Sequence, residues 1–296
     1  MVYYSNQGAY LIDPSVKALS PHAATLAGLG FLVGGWLVYD LLFRSPLAKT
    51  KFINPIALAL AGGLVWVLTH TFSGRGAFIH LGAVFGTIMV LNVWVHILPN
   101  QRKMLKDASE GKTPDQSLGL KAKRRSIHNS YMTLPVLFTM ISNHFANLHG
   151  HPQSWLVLSI LIVTGALVRR TMITGHKLPA SIAAALIVFL VIYTAPKAPA
   201  SAVSSGGEKV PFSEVQTIIA ARCTSCHAPK PTDELFMAAG PPLGIMLDTP
   251  ERIKTLAPRI YERVCVQKTM PLMNRTGITE AERDVLARWV SQGAGM

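Results

Sequence analysis

The chain has 296 residues, half of them hydrophobic and only 15% charged, with a formal net charge of +13. Its apolar runs are long enough to cross a hydrocarbon core, which excludes an ordinary soluble globule. The basic excess is spread over the segments between those runs rather than gathered on one soluble face, so it does not describe a nucleic-acid surface.

Met1 to Ser20 lacks the basic start, short apolar run and small-residue cleavage site of a signal peptide. Six apolar stretches follow, at 23–43, 53–72, 77–98, 130–147, 154–168 and 178–195, each near the ~20 residues a spanning helix needs. The segments after the first, third and fifth carry fourteen Lys and Arg residues, and those after the second and fourth carry only Arg75. That asymmetry predicts basic segments in the cytoplasm and both the start and the tail of the chain outside. The segment 99–129 reads as a polar, basic loop with some surface helix and a turn at Lys112-Thr113-Pro114-Asp115.

Ionisable residues inside spans are expensive and mark candidate sites. The predicted topology puts His70, His80 and His144 near the outer surface, with His149 and His151 just beyond. If they converge, they could ligate a haem b, bind a substrate or move protons; the plain alternative is hydrogen bonding to neighbouring helices. His96 and Asn92 lie four apart on one helix face towards the cytoplasm, with His128 and Tyr131 at similar depth. Asp40 and Arg44, also four apart, read as an interfacial ion pair, and Trp36, Trp66 and Trp94 as packing or interface anchors.

Residues 196–210 combine Pro, Ala, Ser and Gly without apolar periodicity, the composition of a tether. The chain therefore divides into a membrane domain over 1–195, a linker over 196–210 and a tail domain over 211–296. In the tail, a helix is expected from Pro211 to Cys223 and another from Thr249 to about Val266, which Pro258 kinks or divides. Thr279 and Glu282 form a capping box for a last helix.

Cys223-Thr224-Ser225-Cys226-His227 is C-x-x-C-H, the attachment pattern of a c-type haem, with two thioethers to the vinyl groups and His227 as an axial iron ligand. A zinc site would need a second paired cluster, and the only other cysteine, Cys265, reads as a core residue. Met270 or Met273 supplies the second axial ligand, and Met/His ligation raises the reduction potential, as suits an electron acceptor. Haem c attachment implies the periplasmic side of a bacterial inner membrane, in agreement with the charge count.

Four segments, VYYSNQGAYLIDPSVKALSP, GWLVYDLLFRSPL, NVWVHILPNQRKM and RRSIHNSYMTLPVLFTMISNHFANLHGH, resemble the bacterial membrane-bound urate oxidase (urate hydroxylase) family. So do PPLGIMLDTPERI and TMPLMNRTGITEAER in the tail. The resemblance implies an all-α chain, with a polytopic bundle of about six spans followed by a class I cytochrome c-like domain. It implies oxidation of urate towards 5-hydroxyisourate, with electrons passing through haem c to a respiratory acceptor such as a cytochrome oxidase.

Cys223, Cys226 and His227 carry over from the family motif, as does Met270, whose Met-Pro pair resembles the ligand loop of class I cytochromes. Gly240-Pro241-Pro242-Leu243 resembles the segment whose carbonyl fixes the axial His. Candidate urate residues are His144 and Asn143, His96, His70 and His80. Relative to the family the chain starts inside the equivalent of VYYSNQGAYLID, which suggests an N-terminal portion is missing. Two other readings remain open: a membrane-anchored electron-transfer subunit fed by quinol or a partner protein, and a transporter with a fused cytochrome.

Overall fold

The computed structural model describes Tyr3, Tyr4, Gly8, 10–195 and 209–296. Nearly all of the expected linker lies outside these residues. The chain divides into two compact units, Leu19–Thr194 and Met1–Ala18 with Ala195–Met296. Among the described residues all regular structure is helical, apart from a single β-bridge between Asp13 and Lys17.

Six longer helices of the first unit overlap the six predicted stretches, with short helical turns at Pro46–Lys49, Ser142–His144 and Ala146–His149 between them. The longer helices are α1 (Pro21–Arg44), α2 (Ile53–Thr69), α3 (Gly74–Ser109), α4 (Gln116–Ile141), α5 (Ser154–Thr174) and α6 (Lys177–Tyr193). By length and composition α1, α3 and α5 can cross a membrane, and α2 and α6 are shorter apolar helices. Only 11% of the apolar window of α1 is buried within the protein. Leu26, Val33, Leu41, Leu178, Val191 and Ile192 present their side chains outward, a surface that suits lipid and not water.

Local chemistry fixes the ends. Ser20 caps α1 by accepting from the Ala23 amide at 3.2 Å, and Ser73 caps α3 from the Gly76 amide at 3.0 Å. Gly175, at φ +72°, makes the left-handed turn between α5 and α6. The expected basic loop over 99–129 is mostly helix instead. α3 runs on to Ser109 and α4 begins at Gln116, capped by Asp115, so only a short polar turn is left between them. Arg102, Lys103, Lys106, Lys121 and Lys123 on these extensions are exposed, while Arg125 turns inward.

α3 is not uniform. Asn92–Ile97 is a π-helical turn, just before Pro99. A proline ring clashes with the carbonyl four residues back, here that of Val95, and a widened turn relieves the clash without ending the helix.

Helices in lipid gain little from apolar burial against each other, so small residues that let backbones approach matter more. Gly35 of α1 lies against Val84 of α3, where an added Cβ would stand 2.5 Å from Val84 Cγ1, and Gly82 of α3 faces the Thr139 hydroxyl of α4.

In the tail, α7 (Phe212–Arg222) and α9 (Glu280–Ser291) share a core with α8 (Pro250–Thr255) and the helical turns 257–266. Val215, Ile219, Ile253, Leu286 and Trp289 are its centre. Pro258 divides the expected helix, which stops at Thr255 and restarts at Ala257. The Thr279–Glu282 capping box is present, with both reciprocal bonds made. Cys265 packs against this core and its thiol donates to the Arg283 carbonyl at 3.3 Å. Burial pushes that thiol up to about 12.

Two outcomes are expected. Gly82→Val should push α3 from α4 and destabilise the first unit by about 1–3 kcal/mol, the usual cost of overpacking, read as a lower Tm in detergent; an unchanged Tm contradicts the close approach. In the native protein at pH 8, Cys265 should resist alkylation followed by peptide mass spectrometry, and react once the protein is unfolded. Rapid native labelling would contradict its burial.

Candidate functional site

Two constellations carry chemistry. The first is a buried polar network joining α1, α3 and α4. Asp40 is only 5% exposed, yet its carboxylate accepts from Arg44 Nε at 2.7 Å, Arg125 Nη2 at 2.8 Å and His96 Nε2 at 2.6 Å. The expected Asp40–Arg44 pair is present, with Arg44 56% exposed, and Asp40 is shared with the buried Arg125. Arg125 also lies over the rings of Tyr39, at 5.0 Å, and Phe43, at 5.8 Å.

One turn along α4, His128 Nδ1 meets the Tyr39 hydroxyl at 2.8 Å, and Asn129 joins Asn92. The bond directions follow from one carbonyl. Asn129 Nδ2 donates to the Met89 carbonyl at 2.9 Å, so its Oδ1 faces Asn92 and accepts from Asn92 Nδ2 at 2.8 Å. The other Asn92 N–H donates to the Tyr39 oxygen at 3.0 Å, which leaves the Tyr39 O–H to donate to His128. Both Asn92 donors are thus used, while its buried Oδ1 has no partner, and neither does the buried Nη1 of Arg125. The residues come from three helices: Tyr39 and Asp40 are adjacent on α1, whereas Asn92 and His96 (i, i+4) and Arg125, His128 and Asn129 (i, i+3, i+4) each share one helix face.

The sequence placed Asn92, His96, His128 and Tyr131 at similar depth, and the first three take part in the network. It did not find Arg125, which counts as one more topological charge in a basic run, nor Tyr39 and Asn129. The available signal was the spacing of Arg125, His128 and Asn129 on the inner face of an apolar helix.

The other predicted candidates lie elsewhere in the unit. His70 is exposed at the end of α2, where Nδ1–H donates to the Trp66 carbonyl at 2.7 Å and the ring stacks on Trp66. His80 is buried in α3, with Nδ1–H donating to the Gly76 carbonyl at 2.9 Å and Phe72 beside the ring. His144 is exposed and Asn143 half-buried in the turn after α4. His70, His80 and His144 therefore do not share one buried environment. Buried His149 follows on the short helix Ala146–His149, its backbone against Gly74, a contact that a Cβ would obstruct. Among the described residues no three His, Cys, Asp or Glu side chains converge as a metal site.

The second constellation is in the tail. Cys223 ends α7, and the amides of Cys226 and His227 donate back to its carbonyl at 3.2 and 2.9 Å, folding C-x-x-C-H into one tight turn. Burial pushes the Cys223 thiol up to about 12 and raises that of Cys226. A redox-active C-x-x-C pair needs a lowered thiol pKa, and burial has done the opposite here.

His227 Nδ1 lies 3.0 Å from the Ile245 carbonyl. A carbonyl only accepts, so Nδ1 carries a proton, which leaves Nε2 as the nitrogen available to a metal. The ring-fixing carbonyl expected from Gly240–Leu243 comes instead from Ile245, two residues on, beyond a turn in which Leu243 and Gly244 have positive φ. Met270 packs against the tail core, its amide donating to the Arg263 carbonyl at 3.1 Å and its carbonyl accepting from Arg283 Nη1 at 3.0 Å. Arg283 is buried and also donates to the Val264 carbonyl, tying the Met270 segment to α9.

No curated protein and no solved structure matches the chain. A family profile does, the one described as urate oxidase N-terminal, over residues 1–198. The match takes in the whole of the buried network and stops before C-x-x-C-H. By that match the chain belongs to the urate oxidase N-terminal family.

Proposed function

We propose that the chain is a membrane-bound oxidoreductase of purine breakdown that oxidises urate and passes the electrons to a haem c held in its own tail. The overall change is urate plus water to 5-hydroxyisourate, two protons and two electrons. A haem accepts one electron at a time, so each urate requires two transfers, and the electrons continue to a respiratory acceptor such as a cytochrome oxidase. The observation that carries the reading is one chain combining a urate oxidase N-terminal match with a separate unit bearing C-x-x-C-H.

The tail residues fit a covalently held haem c. Cys223 and Cys226 lie one turn apart as thiols, His227 has Nδ1 held by the Ile245 carbonyl so that Nε2 is the nitrogen free to ligate, and Met270 packs against the tail core. When bound, the haem would supply a one-electron acceptor of raised potential. The Ile245 carbonyl orients His227 and strengthens it as a ligand, and Arg283 holds the Met270 backbone. The core packing of Met270 favours it over Met273, which lies at positive φ in the following turn.

The bundle of apolar helices and the fourteen-to-one charge asymmetry support a multi-pass protein of the bacterial inner membrane, its tail on the periplasmic side.

Urate added anaerobically to membranes containing the chain should reduce the haem c, seen as the sharpened absorption of the reduced form. Reduction by quinol with no response to urate would replace this reading with that of a membrane-anchored electron-transfer subunit. Arg283→Gln should loosen the Met270 loop while haem stays attached, lowering the reduction potential and weakening the Met-to-iron charge-transfer band. Met270→Ala should abolish that band and Met273→Ala should keep it; the reverse would assign the ligand to Met273.

A further inference from the structure

The buried network contains two polar groups with nothing to bind. Asn92 is fully buried and Arg125 is 6% exposed, and each keeps one atom, Oδ1 and Nη1 respectively, without a partner. A buried polar atom left unpaired costs roughly 1–3 kcal/mol, and more when charged. The directions derived from the Met89 carbonyl show that turning the Asn92 amide over does not help, because its N–H groups are held by Asn129 and Tyr39. One unused acceptor and one unused cationic donor therefore flank the same tyrosine, whose ring carries Arg125 and whose hydroxyl holds Asn92.

Asp40 is the single carboxylate of the group, and it is shared by the buried Arg125 and by Arg44, whose side chain is 56% exposed. Arg125 Nη1 therefore remains a buried cationic donor that an acceptor would satisfy. The network is also built around a π-helical turn, a widened piece of helix that recurs at functional sites.

We propose that this network is the substrate-recognition site: Arg125 Nη1 donates to a carbonyl or anionic oxygen of urate, and Asn92 Oδ1 accepts from a ring N–H of the same molecule. Urate suits both groups, because it is a planar monoanion at neutral pH with N–H donors beside carbonyl acceptors. The proposal rests on the reading of the chain as a urate oxidoreductase. It assigns recognition to Arg125 and Asn92, with Asp40 and Tyr39 as positioning residues that orient them.

The test uses membranes carrying the full chain with its haem, comparing wild type with Arg125→Lys and Asn92→Ala. Equilibrium binding of radiolabelled urate and urate-driven haem reduction are both measured. The Tm in detergent reports whether the first unit of each variant is folded, and haem content with reduction by ascorbate reports on the tail. Wild type should bind urate, and in a folded variant the Kd should rise at least about tenfold, the equivalent of one lost buried hydrogen bond. If Asn92→Ala lowers the Tm so far that the unit is unfolded, Asn92→Asp, which keeps the shape and adds a repelling charge, replaces it and should weaken binding further. Unchanged affinity in folded variants, with wild type still reduced by urate, overturns the site and leaves the urate reading intact. No binding and no reduction in wild type would overturn both.

Discussion

The first unit depends on a carboxylate buried between three helices. Removing Asp40 from water costs several kcal/mol, and the cost is met only because Arg44, Arg125 and His96 converge on its two oxygens. These partners come from α1, α4 and α3, so the ion group fixes the rotation of three helices about their axes at once. Breaking such a group by removing one partner typically costs roughly 3–5 kcal/mol, far more than any single apolar contact between these helices. The π-helical turn is part of the same constraint, since it sets the orientation of both Asn92 and His96 on the α3 face that meets α1 and α4.

The two units are stabilised by different means. The helices of the first unit leave much of their apolar surface outward and rely on close backbone approach at Gly35 and Gly82, together with the polar network. The tail has an apolar core between α7 and α9, caps on its helices and the buried Arg283 holding loop carbonyls. In the proposed function each mode suits its task. A membrane site needs fixed polar groups that survive without water, and an electron acceptor needs ligands held in place as its charge changes.

Much of this was legible in the sequence because it depends on local pattern. Apolar run length located the helices of the first unit, three of which are long and apolar enough to cross a membrane, and Thr279 and Glu282 located the last tail helix. What failed was whatever depends on which helix faces which. Arg125 looks like its basic neighbours Lys121, Lys123 and Arg124, and only the packing of α4 against α1 turns it inward to Asp40. His70, His80 and His144 share a predicted depth, but depth does not specify rotation, and their exposures differ. The carbonyl on His227 moved from Gly240–Leu243 to Ile245 because positive φ at two consecutive residues turns the chain, and spacing alone does not encode that turn.

The account thus joins a recognition network in the membrane unit to an electron-accepting tail, and its central claim is that urate is the donor. The most direct test is an anaerobic titration of the haem-loaded protein with urate, counting reduced haem c and the 5-hydroxyisourate formed. The account predicts two haems reduced for each urate consumed. Haem c that stays oxidised in excess urate, while ascorbate still reduces it, would contradict it.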